Sequence, residues 1–478
     1  MASFLNATVA FTALVAGPSG AGKSSFINAY FGMNIAKTGA GKPVTQGLAV
    51  YKSLTNSVTI VDTKGFERNH FGSKSSGSFT PQDLLNEVKQ LPGTSVPFID
   101  IVLYFLANDR VEPDDISVCR SLVQQNAPVL FIIAKADSKN TEQVTDIENA
   151  VNHGMSADNG ADRGIRWDIV PLSNKPIKKY CDKCKSQVER RETKRFFEYW
   201  CSNSSCEYSD DAQDRLEKAK SVQESMEKIN QKIVNLIPNP LRLRKYRVAQ
   251  MVDIEGKREI AIQLIVTSAV AAGIINLNPV PGISIATLIG ILLVLGSNLP
   301  KIYGFITVLT VAFLLSLFAA AGLINTAIYY AVSSLVLKVI PGIGTTAGAA
   351  IGVIVAVACD VAFGVAIIKH AEDLLKFRME NMEFSQAMPE FRYDDKKFSE
   401  HFHQSYNSVS VALKDVSLDK DSLRTFIKRE LGDEQGIFTE ELFDEENMED
   451  EWRKQMTEHA TVLTETIYDE WESLETKE

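Results

Sequence analysis

Residues 17–24 read Gly17-Pro18-Ser19-Gly20-Ala21-Gly22-Lys23-Ser24, and Ser25 follows. Glycines at this spacing let a backbone turn tightly and aim several N–H groups at one anion. Lys23 is long enough to reach terminal phosphates, and the Ser24 hydroxyl is a ligand for Mg²⁺. The chemistry on offer is the cradling of a phosphate chain, in the pattern G-x-x-x-x-G-K-[ST]. That loop works only between a strand that fixes its entry and a helix whose N-terminus faces the anion. The apolar run from Val9 to Ala16 supplies the strand, and a helix is expected from Lys23 onward.

Further along, Val58-Thr59-Ile60-Val61 has the composition of a buried strand and ends in Asp62-Thr63-Lys64-Gly65. An Asp at a strand end can hold the Mg²⁺ shell, and the Gly three residues on lets a backbone N–H meet the γ-phosphate. Between the two motifs, Thr45 in Lys42-Pro43-Val44-Thr45-Gln46 sits where a mobile loop could bring a second Mg²⁺ ligand. Lys23, Thr45 and Gly65 are therefore the candidate catalytic positions. A third apolar strand, Val129 to Ile133, runs into Ala134-Lys135-Ala136-Asp137. A carboxylate at Asp137 can accept from both the ring N–H and the exocyclic amine of guanine, a donor pair that adenine lacks. Lys135 can lie along the base and ribose. Asp168 to Leu172 leads into Ser173-Asn174, whose loop N–H groups can face the guanine carbonyl.

The order of these five pieces resembles a small G domain, and residues 8–174 are most similar to the Era, septin and immunity-related GTPase group. The resemblance implies an α/β fold with a doubly wound, mostly parallel sheet, GTP and GDP as ligands, and Mg²⁺ as the ion. Ala134 replaces the usual Asn of N-K-x-D, as it does in septins. Lys64 stands where relatives have Pro, and Asn174 where Ala is usual. Phe66 occupies the position of the water-orienting Gln of Ras-like proteins. Gly20 stands where cation-activated relatives carry Asn. These departures predict slow intrinsic hydrolysis that rises on self-association or partner binding.

Residues 260–368 carry only Lys301, Lys338 and Asp360 as charges, and the run from Ile302 to Leu337 has none. Such stretches exceed the roughly 18–20 residues that cross a bilayer. Candidate segments are 260–278, 283–299, 302–337 and 339–368. Gly273, Gly348 and Gly352 suit close helix packing in lipid. Arg and Lys residues flank both ends, from Arg242 to Arg258 and from Lys369 to Arg378, which predicts both ends in the cytosol and an even number of passes or re-entrant hairpins. Pro281-Gly282-Ile283 recurs as Pro341-Gly342-Ile343, and Tyr303-Gly304 as Phe363-Gly364, at one offset. We read a duplicated helix–Pro-Gly–helix unit. The block resembles a hydrophobic domain of unknown function that follows some Era-like GTPases, and in layout the helical domain of immunity-related GTPases. A buried helical core of a water-soluble protein is the competing reading.

Cys181-x-x-Cys184 and Cys201-x4-Cys206 form two paired arms, the pattern of a Cys₄ zinc ribbon in which Zn²⁺ stands in for a core too short to bury. Two disulfides are the alternative. The stretch 178–195 holds eight Lys or Arg against three acids. A run of this kind is an ordinary solvated face or a contact for RNA, anionic lipid or an acidic partner. Cys119 and Cys359 read as buried thiols without chemistry.

The expected organisation is a G domain core over 1–177, a zinc-ribbon insert over 178–210, a closing helix and linker over 211–240, a hydrophobic and membrane-embedded helical domain over 241–378, and an acidic, partly helical region over 379–478. The net charge is −10, with 50 basic and 60 acidic residues, and the acids concentrate beyond residue 430. The remainder is slightly basic, which argues against a general nucleic-acid binder. Amphipathic spacing near 405–430 and 448–475 predicts helices there. No secretory signal is legible at the N-terminus, so a reducing, cytosol-facing side is expected. Together these features predict a membrane-associated GTP-binding protein that docks a second G domain or a protein effector. A soluble switch whose zinc insert contacts RNA or a ribosome, and a nucleotide-binding scaffold without turnover, stay open.

Overall fold

The computed structural model describes residues 11–36, 48–63, 86, 99–106, 111–124, 127–136, 139, 141–156, 167–172, 188–192, 197–201, 212–276, 283–307, 309, 344–380, 385–393, 396–412 and 419–432. Two compact units account for them: one of residues 8–253 with 376–387, the other of 1–7, 254–375 and 388–478.

The first unit is built on a six-stranded sheet. Its strands are β1 (Phe11–Ala16), β2 (Ala49–Lys52), β3 (Val58–Asp62), β4 (Ile101–Leu106), β5 (Val129–Ala134) and β6 (Ile169–Leu172), in the order β2-β3-β1-β4-β5-β6. All pairings are parallel except β2 with β3. β1, β4 and β5 are buried along their whole length, as the continuous apolar runs require of strands covered on both faces. One face carries Leu14, Tyr104, Phe131 and Ile133 against α2 (Pro113–Gln124) and α3 (Thr141–Ser156) through Ile116, Leu122, Ile147 and Val151. The alternate residues meet the other helices. Phe105 sits edge-on to Phe26 of α1 (Lys23–Tyr30), and Phe11 lies against Tyr246. The P-loop G-domain architecture expected from the motifs is therefore present.

Residues Val188–Glu192 (β7) and Phe197–Cys201 (β8) form a separate antiparallel hairpin inside the expected insert. Its register pairs Val188 with Cys201. α4 (Ala212–Leu236) falls in the stretch read as a closing helix and linker and packs beside β6. α5 (Pro240–Ala249) starts at Pro240 with Asn239 as its cap, the Asn side chain accepting from Arg242 N at 3.0 Å. α5 is fastened to the sheet by Arg242, whose guanidinium meets Asp100 at 2.5 Å while the same carboxylate accepts from Thr12 N at 2.7 Å.

In the second unit α6 (Ile254–Asn276) and α7 (Ile283–Ile302) pack together, and α8 (Gly344–Glu380) runs against α6. The contact is close because small residues face large ones. A Cβ on Gly364 would stand 2.5 Å from Ile265 Cγ1, and one on Gly273 would touch Val353 and Val357. Between these points the Ser268 hydroxyl donates to the fully buried Asp360. Phe391, Tyr393 and α9 (Lys396–Ala412) stack aromatic rings on Phe363 and His370. α10 (Lys420–Glu430), capped by Asp419, returns to α6 and pairs Lys428 with Glu259 at 2.6 Å.

The sixty-residue echo can be compared among the described residues at Tyr303-Gly304 and Phe363-Gly364. The described part of α7 starts at Ile283 and that of α8 at Gly344. α7 then stops at Ile302, and Gly304 takes φ +82, whereas Gly364 lies inside a helix that continues to Glu380. The two copies differ at this pair, because Gly304 takes a left-handed turn and Gly364 lies at a helix crossing, while both Pro-Gly pairs and the helix expected before Pro341 lie outside the described residues. The apolar spacing near 405–430 resolves into two helices, α9 and α10. The expected helix at 448–475 lies outside the described residues, as does most of 302–337.

One described helix, Val353–Met379, is long and apolar enough to cross a membrane, with a mean hydropathy of 2.0 in its most apolar window. Of that window 78% is buried within the protein. α7 contributes a shorter apolar stretch, Leu288–Ile302.

Candidate functional site

Parallel strands deliver their carboxyl ends to one edge of the sheet, and a doubly wound sheet opens a crevice where the strand order reverses. Here the reversal lies at β1, between β3 and β4. The register aligns Val15 with Asp62, Ala16 with Tyr104 and Ala134 with Leu172. The chain therefore brings Gly17, Asp62, Lys135 and Leu172, the last residue of β6, to the same edge, although up to 155 residues separate them in sequence.

The loop from Gly17 to Gly22 owes its shape to backbone that L side chains resist. Gly17 has φ +132, and a Cβ there would stand 2.3 Å from the Phe105 carbonyl oxygen. Gly20 has φ +75 with open space around it. Gly22 has φ 85 and caps α1 with no side chain in the way. The N–H groups of the first turn of α1 are consequently left to face an anion.

Lys23 is buried, and its ammonium donates to Gly17 O and Pro18 O, both at 3.0 Å. Burial lowers its pKa to about 8, and the Asp62 carboxylate offsets part of that fall. The Ser24 hydroxyl donates to Asp62 Oδ2 at 2.8 Å. A hydroxyl and a buried carboxylate in contact are hard oxygen donors that fit Mg²⁺, so Ser24 and Asp62 would hold it. Ser19, Ala21 and Ser25 complete the loop and the first turn without a chemical role of their own on the described contacts. Lys135 takes φ 55, a left-handed conformation uncommon for a long side chain, directly after β5. The structure thus brings Lys23, Ser24 and Asp62 together and places Lys135 on the same edge. Thr45, Gly65, Asp137, Ser173, Asn174, Cys181, Cys184 and Cys206 lie outside the described residues, and Cys201 is placed by its backbone in β8. Among the described residues no cluster could hold a metal ion through His, Cys, Asp or Glu alone.

Sequence reasoning missed the far end of α1. Asn28 donates to Ala36 O at 2.9 Å and accepts from Ala36 N at 3.0 Å, clasping the stretch that leads to Thr45. Tyr30 is fully buried, with its hydroxyl against that of Tyr246. Neither residue belongs to a nucleotide motif, and only the three-dimensional pairing reveals it.

Strand order, phosphate loop and the Lys23–Ser24–Asp62 cluster define a P-loop G domain followed by a helical C-terminal region. Residues 12–135 match the family described as 50S ribosome-binding GTPase. That match implies GTP and GDP as ligands, Mg²⁺ as the ion and GTP hydrolysis as the reaction. No curated protein matches the chain significantly. Among solved structures, the septin GTPase domain from Chlamydomonas reinhardtii is 13% identical, with 41% of this chain and 87% of that one covered at a TM-score of 0.23. An oligomerised bacterial dynamin pair, described as a mechanism for long-range sensing and tethering of membranes, is 9% identical over 98% of this chain and 76% of that one, at a TM-score of 0.24. At such TM-scores neither likeness extends to function.

Proposed function

We propose that the chain is a membrane-associated GTPase that turns over GTP slowly and uses its nucleotide state to control self-association or the docking of a partner. The observation that carries the nucleotide part is the cluster at the mouth of the sheet, where the Lys23 ammonium and the Ser24–Asp62 pair converge on the loop from Gly17 to Gly22. Guanine is the base because Asp137 follows Lys135 in the A-K-A-D run. Slow turnover rests on Phe66, which cannot orient water as a Gln does. Thr45 and Gly65 would complete the shell around the γ-phosphate.

The membrane part rests on the near-absence of charge over 260–368 and on the helix Val353–Met379. Burial of that helix within the protein favours a second reading, a soluble switch with an apolar helical core. Carbonate extraction of membranes from cells that express the full chain separates the two. Retention in the pellet supports insertion, and release to the supernatant refutes it. Turnover of GTP by the full chain, measured with and without vesicles of anionic lipid, tests the enzyme reading. Absence of any phosphate release would leave a nucleotide-binding scaffold.

Zinc belongs to the same proposal. The hairpin pairs Cys201 with Val188, which follows Cys184 by four residues in the sequence, and this pairing supports the reading. Cys181, Cys184, Cys201 and Cys206 would then close a tetrahedral site. Elemental analysis of the purified full chain should find about one zinc per chain. A metal-free chain with four titratable thiols would end this reading.

A further inference from the structure

The helix that begins at the phosphates ends on two segments remote in sequence. α1 is eight residues long, so about 12 Å separates its ends. Its first turn supplies Lys23 and Ser24. Its last turn and the turn beyond it contact Met251 and Ser385, which lie in the stretches 250–253 and 385–387 that precede α6 and follow α8 along the chain.

The first contact has a backbone and a side-chain part. Met251 N donates to Tyr30 O at 3.0 Å. The Tyr30 hydroxyl meets that of Tyr246, and both converge on Asn230 Oδ1, at 3.3 Å from Tyr30 and 3.1 Å from Tyr246. All three side chains are buried. Gly32 has φ +63, and a Cβ on it would overlap Met251 Sδ, so a larger residue would strain the backbone and displace the Met251 side chain. Gln250 then turns its side chain back to accept from Val252 N at 2.5 Å and Asp253 N at 2.8 Å, which fixes the residues just before α6.

The second contact is a short ladder. Ser385 N donates to Gly32 O at 3.2 Å, and Asn34 N donates to Ser385 O at 2.8 Å. Arg378, in the last turn of α8, donates to the Ser385 hydroxyl at 3.2 Å. The same helix holds Ala36 through both polar atoms of Asn28, one residue before the segment that contains Thr45.

A rigid helix passes on any tilt or shift imposed at one end, and buried hydrogen-bonded contacts respond by remaking or breaking. We propose that α1 relays the nucleotide state of the phosphate loop to residues 250–253 and 385–387 through the Tyr30–Tyr246–Asn230 cluster and the Gly32–Ser385 ladder. The inference rests on the nucleotide-binding reading above and adds an output path to it. The two segments are the points where the chain enters and leaves the stretch 254–375, so a signal there reaches both of its ends through covalent connection.

Hydrogen exchange on the full chain tests the relay, with the protein nucleotide-free, with GDP, and with a non-hydrolysable GTP analogue. One hydrogen bond gained or lost corresponds to about a fivefold change in exchange. We expect about that difference between the GDP and analogue states in peptides covering 250–253 and 385–387, alongside protection of 17–24 in both. Tyr246→Phe should reduce the difference at 250–253, and Ser385→Pro that at 385–387, each to near unity while leaving 17–24 protected. If the wild-type chain shows protection of 17–24 but equal exchange at both remote segments in all three states, the relay is refuted and the nucleotide reading stands. If 17–24 is not protected by any guanine nucleotide, both fall. The wild-type measurement decides by itself, so failure of either variant to fold does not leave the relay untested.

Discussion

If Lys23 binds the phosphates as proposed, its burial sets a pH limit on nucleotide binding. Its ammonium is buried among carbonyl oxygens, and desolvation brings the pKa of the nucleotide-free site to about 8, with Asp62 acting in the opposite direction. Bound phosphates add negative charge beside the ammonium and raise that pKa again. The bound state therefore holds the proton more tightly than the free state, and binding takes up a proton wherever free Lys23 has lost it. Affinity is at its full value below the free pKa and falls as pH rises above it, until the pKa of the bound state is reached. With a free value of about 8, affinity drops about fivefold from about pH 7 to about pH 8.7, equivalent to about 1 kcal/mol. Titration with a fluorescent GDP analogue at constant ionic strength reads the affinity. Calorimetry in buffers of different ionisation enthalpy reads the proton, and should approach one taken up per GDP at the upper end. An affinity that stays flat through this window, with no proton uptake, would show that Lys23 is charged throughout and that its burial has been overweighted.

The glycines of the loop should separate by geometry rather than by motif position. Gly17→Ala drives a Cβ into the Phe105 carbonyl and should cost about 3 kcal/mol or more, with loss of GDP binding. Gly20→Asn meets open space at a φ that Asn tolerates, so its melting temperature should stay within about 2 °C of the parent. Arg242→Ala leaves Asp100 buried with only the Thr12 N–H as a described donor, and chemical denaturation should show a loss of about 2 kcal/mol. In the helical unit, Gly364→Ala pushes on Ile265 and should lower the unfolding temperature, and Ile265→Val in the same chain should restore part of it. Full additivity of those two changes would mean that the crossing is not as close as described.

Much of the site was legible because phosphate binding makes local demands. A glycine-rich turn, a lysine and a serine must be contiguous, since adjacent N–H groups have to converge on one anion. Two of the strands around them were legible for a related reason: a strand covered on both faces must be apolar throughout, as β1 and β5 are. Asp62 was singled out from its place at a strand end, and the fold sets it in hydrogen-bond contact with Ser24.

Other features depend on partners that no local pattern names. Tyr30 and Tyr246 are 216 positions apart, and neither their spacing nor their type announces that the two hydroxyls meet. Ser385 is an unremarkable polar residue until the fold sets it beside Gly32. The repeated Tyr303-Gly304 and Phe363-Gly364 pairs look equivalent in the chain, yet one glycine turns left-handed and the other sits in a helix crossing, because the neighbour of each is a different segment. The apolar block shows the same division. By itself the sequence determined that residues 260–368 avoid water, since charge is nearly absent from them. Only the tertiary structure decided that the helix Val353–Met379 finds much of its cover in protein, because burial depends on which surfaces pack together and composition specifies only that they must.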